Sequence, residues 1–113
     1  MRIIRDKITL DELKKISANN FHKLVKIVVD VENNIMIIDV AFHADGQALL
    51  LQEGSVQENL WGVNLYPYKL IEEWIEYYST INLRPLSGNA SRWVEDSRIQ
   101  EKIKTIVNAL IFC

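Results

Sequence analysis

At 113 residues the chain is the size of one ordinary domain, long enough to bury a core without disulfides or a structural metal. With 49% hydrophobic and 25% charged residues, its composition is that of a soluble globular protein. The net charge of −2 argues against wholesale electrostatic binding to nucleic acid.

The longest apolar runs, Ile35–Ile38, Val40–Phe42 and Ala48–Leu51, are too short to cross a bilayer. The opening residues alternate in charge and carry no apolar signal region, so a cytoplasmic setting without membrane association is the expectation. Cys113 is the only cysteine, which leaves no partner for an intramolecular disulfide. Charge is unevenly spread. Residues 1–30 hold seven Lys/Arg against four Asp/Glu, residues 31–83 hold one against eight, and residues 84–113 hold five against three.

In chain order, Arg2–Arg5 reads as a short strand. Thr9-Leu-Asp-Glu12 has the form of a capping box for a helix whose inward stripe is Leu10, Leu13 and Ile16, with a stop at Asn19-Asn20. Val25, Ile27, Val29 and Val31 alternate with other residues, a half-buried strand pattern. Glu32-Asn33-Asn34 then supplies a tight hairpin. The run Ile35–Phe42 is apolar on both faces and is expected inside the sheet. Asp39 interrupts it, either at an edge facing water or with a partner or role.

His43–Leu51 reads as a helix with Asp45 as N-cap and Gly54 as the C′ residue. Ser55-Val-Gln-Glu58 has the form of a second capping box, opening a helical turn that ends near Trp61-Gly62. A strand follows in which Trp61, Val63 and Leu65 point one way and Gly62, Asn64 and Tyr66 the other, and Pro67 ends it. A second strand is predicted from Trp74 to Arg84. Its alternation groups Trp74, Glu76, Tyr78, Thr80, Asn82 and Arg84 on one face. Pro85–Glu95 is a loop. Asp96 or Ser97 caps a last helix whose inward side is Ile99, Ile103, Ile106, Val107 and Leu110. The sum is a single α+β domain, with a largely antiparallel sheet of four or five strands and helices packed on one face.

Pairing of the two strands would place Asn64 and Tyr66 beside Tyr78, Thr80, Asn82 and Arg84. This is the best candidate binding surface. Beside it, Arg84, the Ser87-Gly88-Asn89 turn, Ser91 and Arg92 offer guanidinium forks and exposed amides ahead of a helix N-terminus, groups that favour phosphate or carboxylate. The plainer reading pairs Arg84 and Arg92 with Glu95, Asp96 or Glu76. His43 and Asp45 are the catalytic candidates, as a general base and its orienting carboxylate. The plainer reading there is a helix cap and a backbone hydrogen bond. No metal-ligand spacing and no phosphate-loop spacing occur, so neither a metal nor another cofactor is expected. Trp74 and Trp93 are expected to be exposed and Trp61 to be core.

His43-Ala-Asp45, Ala48–Leu51, Leu60-Trp-Gly62, Asn64-Leu-Tyr-Pro67, Ile81-Asn-Leu-Arg-Pro85, Gly88-Asn89, Ser91-Arg92 and Val94-Glu-Asp96 together resemble a small prokaryotic family, common in cyanobacteria, that carries only a domain-of-unknown-function label. The resemblance runs from Ile8 to Asn108 and implies the same compact fold and a cytoplasmic setting, with no established activity. The chain departs from that pattern at Val40-Ala-Phe42, where small residues are usual, and at Trp93, where glycine is usual. Three functional expectations result. One is a non-enzymatic binding module whose Arg84/Arg92 face holds an anionic small molecule or a protein partner. Another is a metal-independent ribonuclease or toxin–antitoxin component using His43 and Arg84. The third is an obligate homodimer whose aromatic face is the interface.

Overall fold

The alternating Val25, Ile27 and Val29 form the central strand, β3 (Val25–Asp30). It pairs antiparallel with β4 (Ile35–Ile38) on one side and β5 (Leu60–Leu65) on the other, with Val29 opposite both Met36 and Trp61. β1 (Arg2–Ile4) flanks β4 and β6 (Ile75–Glu76) flanks β5, giving a five-stranded antiparallel sheet of order β1-β4-β3-β5-β6. The computed structural model describes residues 1–113, Phe21 by its backbone alone. A separate parallel pair joins β2 (Ile8–Thr9) to β7 (Ile111–Phe112). With helices α1 (Leu10–Ala18), α2 (His43–Gln52) and α3 (Ser97–Leu110) the class is α+β, as the sequence predicts.

Sequence periodicity decides which face each helix covers. On the first face Val25, Ile27, Val29, Met36, Ile38, Trp61, Val63 and Leu65 form one buried cluster with Leu13 of α1 and Ile103, Ile106, Val107 and Leu110 of α3. On the second face Val28, Ile37 and Leu60 cluster with Val40 and with Leu50 of α2. The terminal helices therefore share one face and α2 covers part of the other. Gly46 permits that approach, because a Cβ there would lie 3.0 Å from the Ile37 and Val40 side chains.

The caps and turns follow the sequence in most places. Thr9 caps α1 by accepting the Glu12 N–H, while the Glu12 carboxylate pairs with Arg2. β4 stops at Ile38, four residues before the predicted end, because Asp39 takes a left-handed φ of 56° and lies exposed. Aspartate is one of the few residues that tolerates this conformation. Ser55 does not cap a helix. Its hydroxyl donates to Asp30 Oδ2 at 2.6 Å, while Asp30 Oδ1 accepts the Glu32 and Asn33 amides of the β3–β4 turn. Burial pushes the Asp30 carboxyl up, but these hydrogen bonds outweigh it and hold the pKa below the usual carboxylate range.

The largest departure lies after Glu76. The predicted strand from Trp74 to Arg84 contracts to two residues of β6, followed by a 3-10 turn at Thr80–Asn82 and a second one at Pro85–Ser87. That turn brings Ser79 across Gly62. A Cβ on Gly62 would lie 2.5 Å from Ser79 Cβ and 3.1 Å from His43 Cγ, so only glycine lets both side chains touch the strand. Gly62→Ala is accordingly expected to cost about 1–3 kcal/mol, with much of that recovered when Ser79→Gly is added. Urea unfolding of the two single variants and the double reads this coupling. Strictly additive losses would contradict the contact.

Candidate functional site

The loop that carries most of the predicted binding residues is held by its own polar groups. In β5 the even-numbered residues turn their N–H and C=O groups outward, and β6 satisfies only Asn64 and Tyr66. Beyond β6 the side chain of Asn82 takes over. Its Oδ1 accepts the Gly62 N–H at 2.9 Å and its Nδ2 donates to the Gly62 carbonyl at 3.0 Å, so one carboxamide replaces a strand residue. Arg84 continues the row by donating to the Leu60 carbonyl. It also reaches Gln57 and Glu58 carbonyls at 3.3 Å and lays its guanidinium 4.2 Å from the Trp61 ring centre. Burial lowers its pKa.

The turn that follows is likewise closed. The amides of Ser87 and Asn89 both donate to the Arg84 carbonyl, and that of Gly88 to Pro85. Asn89 is buried, donating through Nδ2 to the carbonyls of Asn82, Ser91 and Trp93 and accepting the Glu95 amide. Glu95 itself accepts from Ser91 and the Ala90 amide, which lowers its pKa. A carboxylate of the chain thus takes Ser91, one of the donors expected to hold an anion, while Arg84 and the turn amides are taken by backbone carbonyls. Asp96 caps α3 and pairs with Arg98 instead of a loop arginine. Arg92 is exposed. Tyr78 bridges to Trp93, their rings edge to face at 5.0 Å. Trp93 is exposed as predicted, whereas Trp74 is buried with its indole N–H on the Lys69 carbonyl.

Asn64 and Tyr66 meet at Glu76 on the second face. Asn64 Nδ2 lies 2.8 Å and the Tyr66 hydroxyl 3.2 Å from the same carboxylate oxygen. Burial first, then Glu76, raises the Tyr66 pKa. Asn64 Oδ1 is buried and finds no hydrogen-bond donor among the described residues, although more than nine in ten such groups are satisfied in native proteins. In the register, Asn64 stands opposite Lys26.

Lys26 opens onto the most unusual electrostatic feature of the chain. A cleft of about 270 Å³ lies between the start of α2 and the 79–81 turn, lined by Lys26, Phe42, His43, Ala44, Ser79, Thr80 and Ile81. The N-cap of α2 is Phe42, which provides no side-chain acceptor. A serine, threonine, aspartate or asparagine there would contribute about 1 kcal/mol. Asp45, predicted as the cap, lies inside the first turn and lines a neighbouring hollow with Asp39. The Lys26 ammonium donates to the Ala41 carbonyl at 3.2 Å, beside the positive end of the helix, where a cation is disfavoured. No carboxylate lines the cleft. His43 has Nε2 2.8 Å from the Val63 carbonyl, so Nε2 carries the proton and Nδ1 is the acceptor of the neutral ring. Burial foremost lowers its pKa, the Val63 bond opposes this, and Lys26 lowers it further. The orienting group of His43 is therefore a backbone carbonyl, and the structure does not gather Asp45 with it.

The family described as protein of unknown function (DUF5674) matches residues 2–110. The chain belongs to that family. No curated protein and no solved structure matches it. In this DUF5674 member no group of three or more His, Cys, Asp or Glu able to hold a metal ion occurs among the described residues. No described helix is long and apolar enough to cross a membrane. Lys26, Phe42 and Ser79 were missed as site residues by sequence reasoning, while Thr80, expected on the candidate strand face, lines this cleft instead. A lysine within the central strand and an aromatic ring in an N-cap position were the signals available for the first two.

The loop residues of this DUF5674 chain separate by substitution. Asn82→Ala strands both backbone groups of Gly62, and Arg84→Ala exposes the Leu60 carbonyl and the Trp61 face. Each is expected to lower stability by about 2–4 kcal/mol. Arg92→Ala should stay within about 0.5 kcal/mol. Chemical denaturation measures all three, and a neutral Arg84→Ala would contradict the structural role.

Proposed function

We propose that the chain is a non-enzymatic binding module that holds an anionic group, phosphate or carboxylate, in the cleft at the start of α2. One observation carries this reading. A lysine ammonium, an uncapped helix N-terminus and a histidine converge on one concave surface with no carboxylate among its lining residues. Asp45 in the first turn offsets part of this positive potential, and a bound anion on the cleft side would offset more. The His43 and Ala44 N–H groups of the first turn supply directional donors, that of Asp45 going to the Phe42 carbonyl. Lys26 has three ammonium donors, of which Ala41 takes one. Thr80 also lines the cleft. The reading keeps the anion-binding expectation but moves its centre away from Arg84 and the Ser87–Asn89 turn, whose donors are engaged within the chain. Arg92 stays available for a protein partner at the Trp93 surface.

The ribonuclease or toxin–antitoxin alternative requires His43 and Arg84 to act on one phosphate. All three Arg84 side-chain nitrogens are directed to backbone carbonyls, so the arrangement favours binding over catalysis.

Titration with sodium sulfate, whose charge is constant over the working pH range, tests the reading by amide chemical shifts. The expected result is saturable shifts at His43, Ala44 and Asp45. Lys26→Ala should weaken binding roughly tenfold or more, and Arg92→Ala should leave it unchanged. His43 starts with a lowered pKa, and an anion beside the imidazolium raises it. Sulfate affinity therefore grows as pH falls through that value. Shifts confined to residues 87–92, or no saturable shift, would contradict the proposal.

A further inference from the structure

Phe42 is explained neither by packing nor by capping. Its side chain is 68% exposed, and it occupies the N-cap position of α2 without a side-chain hydrogen bond. Isolated exposed apolar residues are ordinary on a protein surface. Leu86, fully exposed at the tip of its turn, needs no further account. Phe42 differs in three respects. It lines the cleft itself, beside Lys26 and His43. Its ring has the Lys26 ammonium 5.5 Å from the centroid, so a cation holds it at the mouth of the cleft. And it takes the place of a polar cap residue at a helix start beside which the Lys26 ammonium lies.

Two hollows flank Lys26. The cleft is one, and the other, of about 500 Å³, is lined by Asn20, His22, Leu24, Lys26, Asp39, Val40 and Ala41. The second is within the size range of small-ligand sites. Asn64, next to Lys26 in the register, keeps an unsatisfied buried acceptor on the same face. A phosphate at the start of α2 would therefore lie within reach of an open aromatic face, with room on either side of the lysine. A planar ring stacked on Phe42 is the group that uses both. Ring stacking is tolerant of base identity because every base presents a π face. A simple carboxylate or inorganic phosphate would leave the Phe42 ring without a role.

We infer that the ligand of this cleft is a nucleotide, its phosphate held by the α2 N-terminus and Lys26 and its base stacked on Phe42. This rests on the anion reading of the cleft and adds the chemical class of the ligand. The same chemistry is available from a free mononucleotide and from the 5′-phosphorylated end of a single strand.

Calorimetric titration of the full chain with ribose 5-phosphate, adenosine and AMP tests the inference. AMP is expected to bind roughly 5- to 150-fold more tightly than ribose 5-phosphate, the increment one stacked base supplies, and adenosine more weakly than AMP. In Phe42→Leu, which keeps an apolar side chain over the lysine, the ratio of AMP to ribose 5-phosphate affinity should fall to about one. Phe42→Trp should keep or raise it. Thermal unfolding of both variants checks that the fold is retained, as expected for an exposed side chain. A 5′-phosphorylated tetranucleotide that binds like AMP identifies the free nucleotide as the source, and tighter binding with each added residue identifies the strand end. Equal affinities of AMP and ribose 5-phosphate for the unaltered protein, or an unchanged ratio in Phe42→Leu, would overturn the inference while leaving the anion site standing. Failure of every phosphate-bearing ligand to bind would overturn both.

Discussion

The outer edge of β5 is the constraint on which this structure turns. A six-residue strand faces a two-residue neighbour, so half of its outward backbone groups would be left without partners. Buried backbone groups without partners cost about as much as a lost hydrogen bond each. The chain resolves this with side chains. The Asn82 carboxamide presents a donor and an acceptor to Gly62 in the geometry a strand would offer, and Arg84 takes the Leu60 carbonyl. Asn89 then fastens the loop that delivers them, through the carbonyls of Asn82, Ser91 and Trp93. A surrogate strand also ends the sheet without an open ladder, which protects that edge from pairing with other chains.

The same solution explains where function can reside. Polar residues that close a strand edge are unavailable to a ligand, however well their types suit one. The 79–82 turn that brings Asn82 to Gly62 also lays Ser79 across that glycine and sets one wall of the cleft at the start of α2. Structural closure and the open site are thus two consequences of one turn. At the other wall, local rules are broken: an aromatic N-cap and a lysine at a positive helix end lie together, and the asparagine opposite that lysine in the register keeps an unsatisfied oxygen. Violations of that kind concentrate at functional sites, because elsewhere nothing compensates for them.

Much of the architecture was legible in the sequence. The α1 and α3 stripes, the Thr9 and Asp96 caps, the β3–β4 hairpin and the inward side of β5 all follow from periodicity and turn chemistry that local residues impose. The segment after Glu76 was not legible. Its alternation from Ile75 to Leu83 mimics a strand, yet the 3-10 turn wins through contacts with Gly62 that lie about twenty positions away in sequence. Asp39 shows a similar failure, since an apolar run on either side of it reads as one strand until the left-handed turn is seen. The candidate site shared that fate. Residue types that signal anion binding were recognised in the 84–92 loop, but their engagement by Glu95 and by backbone carbonyls is a tertiary fact. Membership of the DUF5674 family, by contrast, is carried along nearly the whole chain.

The account stands on Asn82 acting as a strand residue for Gly62, and amide hydrogen exchange at Gly62 tests this most directly. In the unaltered protein the Gly62 N–H should be protected to the same degree as the amides of β3, exchanging only through global unfolding. In Asn82→Asp, which keeps the Oδ1 acceptor, the Gly62 amide should stay slower to exchange than in Asn82→Ala. Rapid exchange of Gly62 in the unaltered protein, alongside protected neighbours in β5, would contradict it.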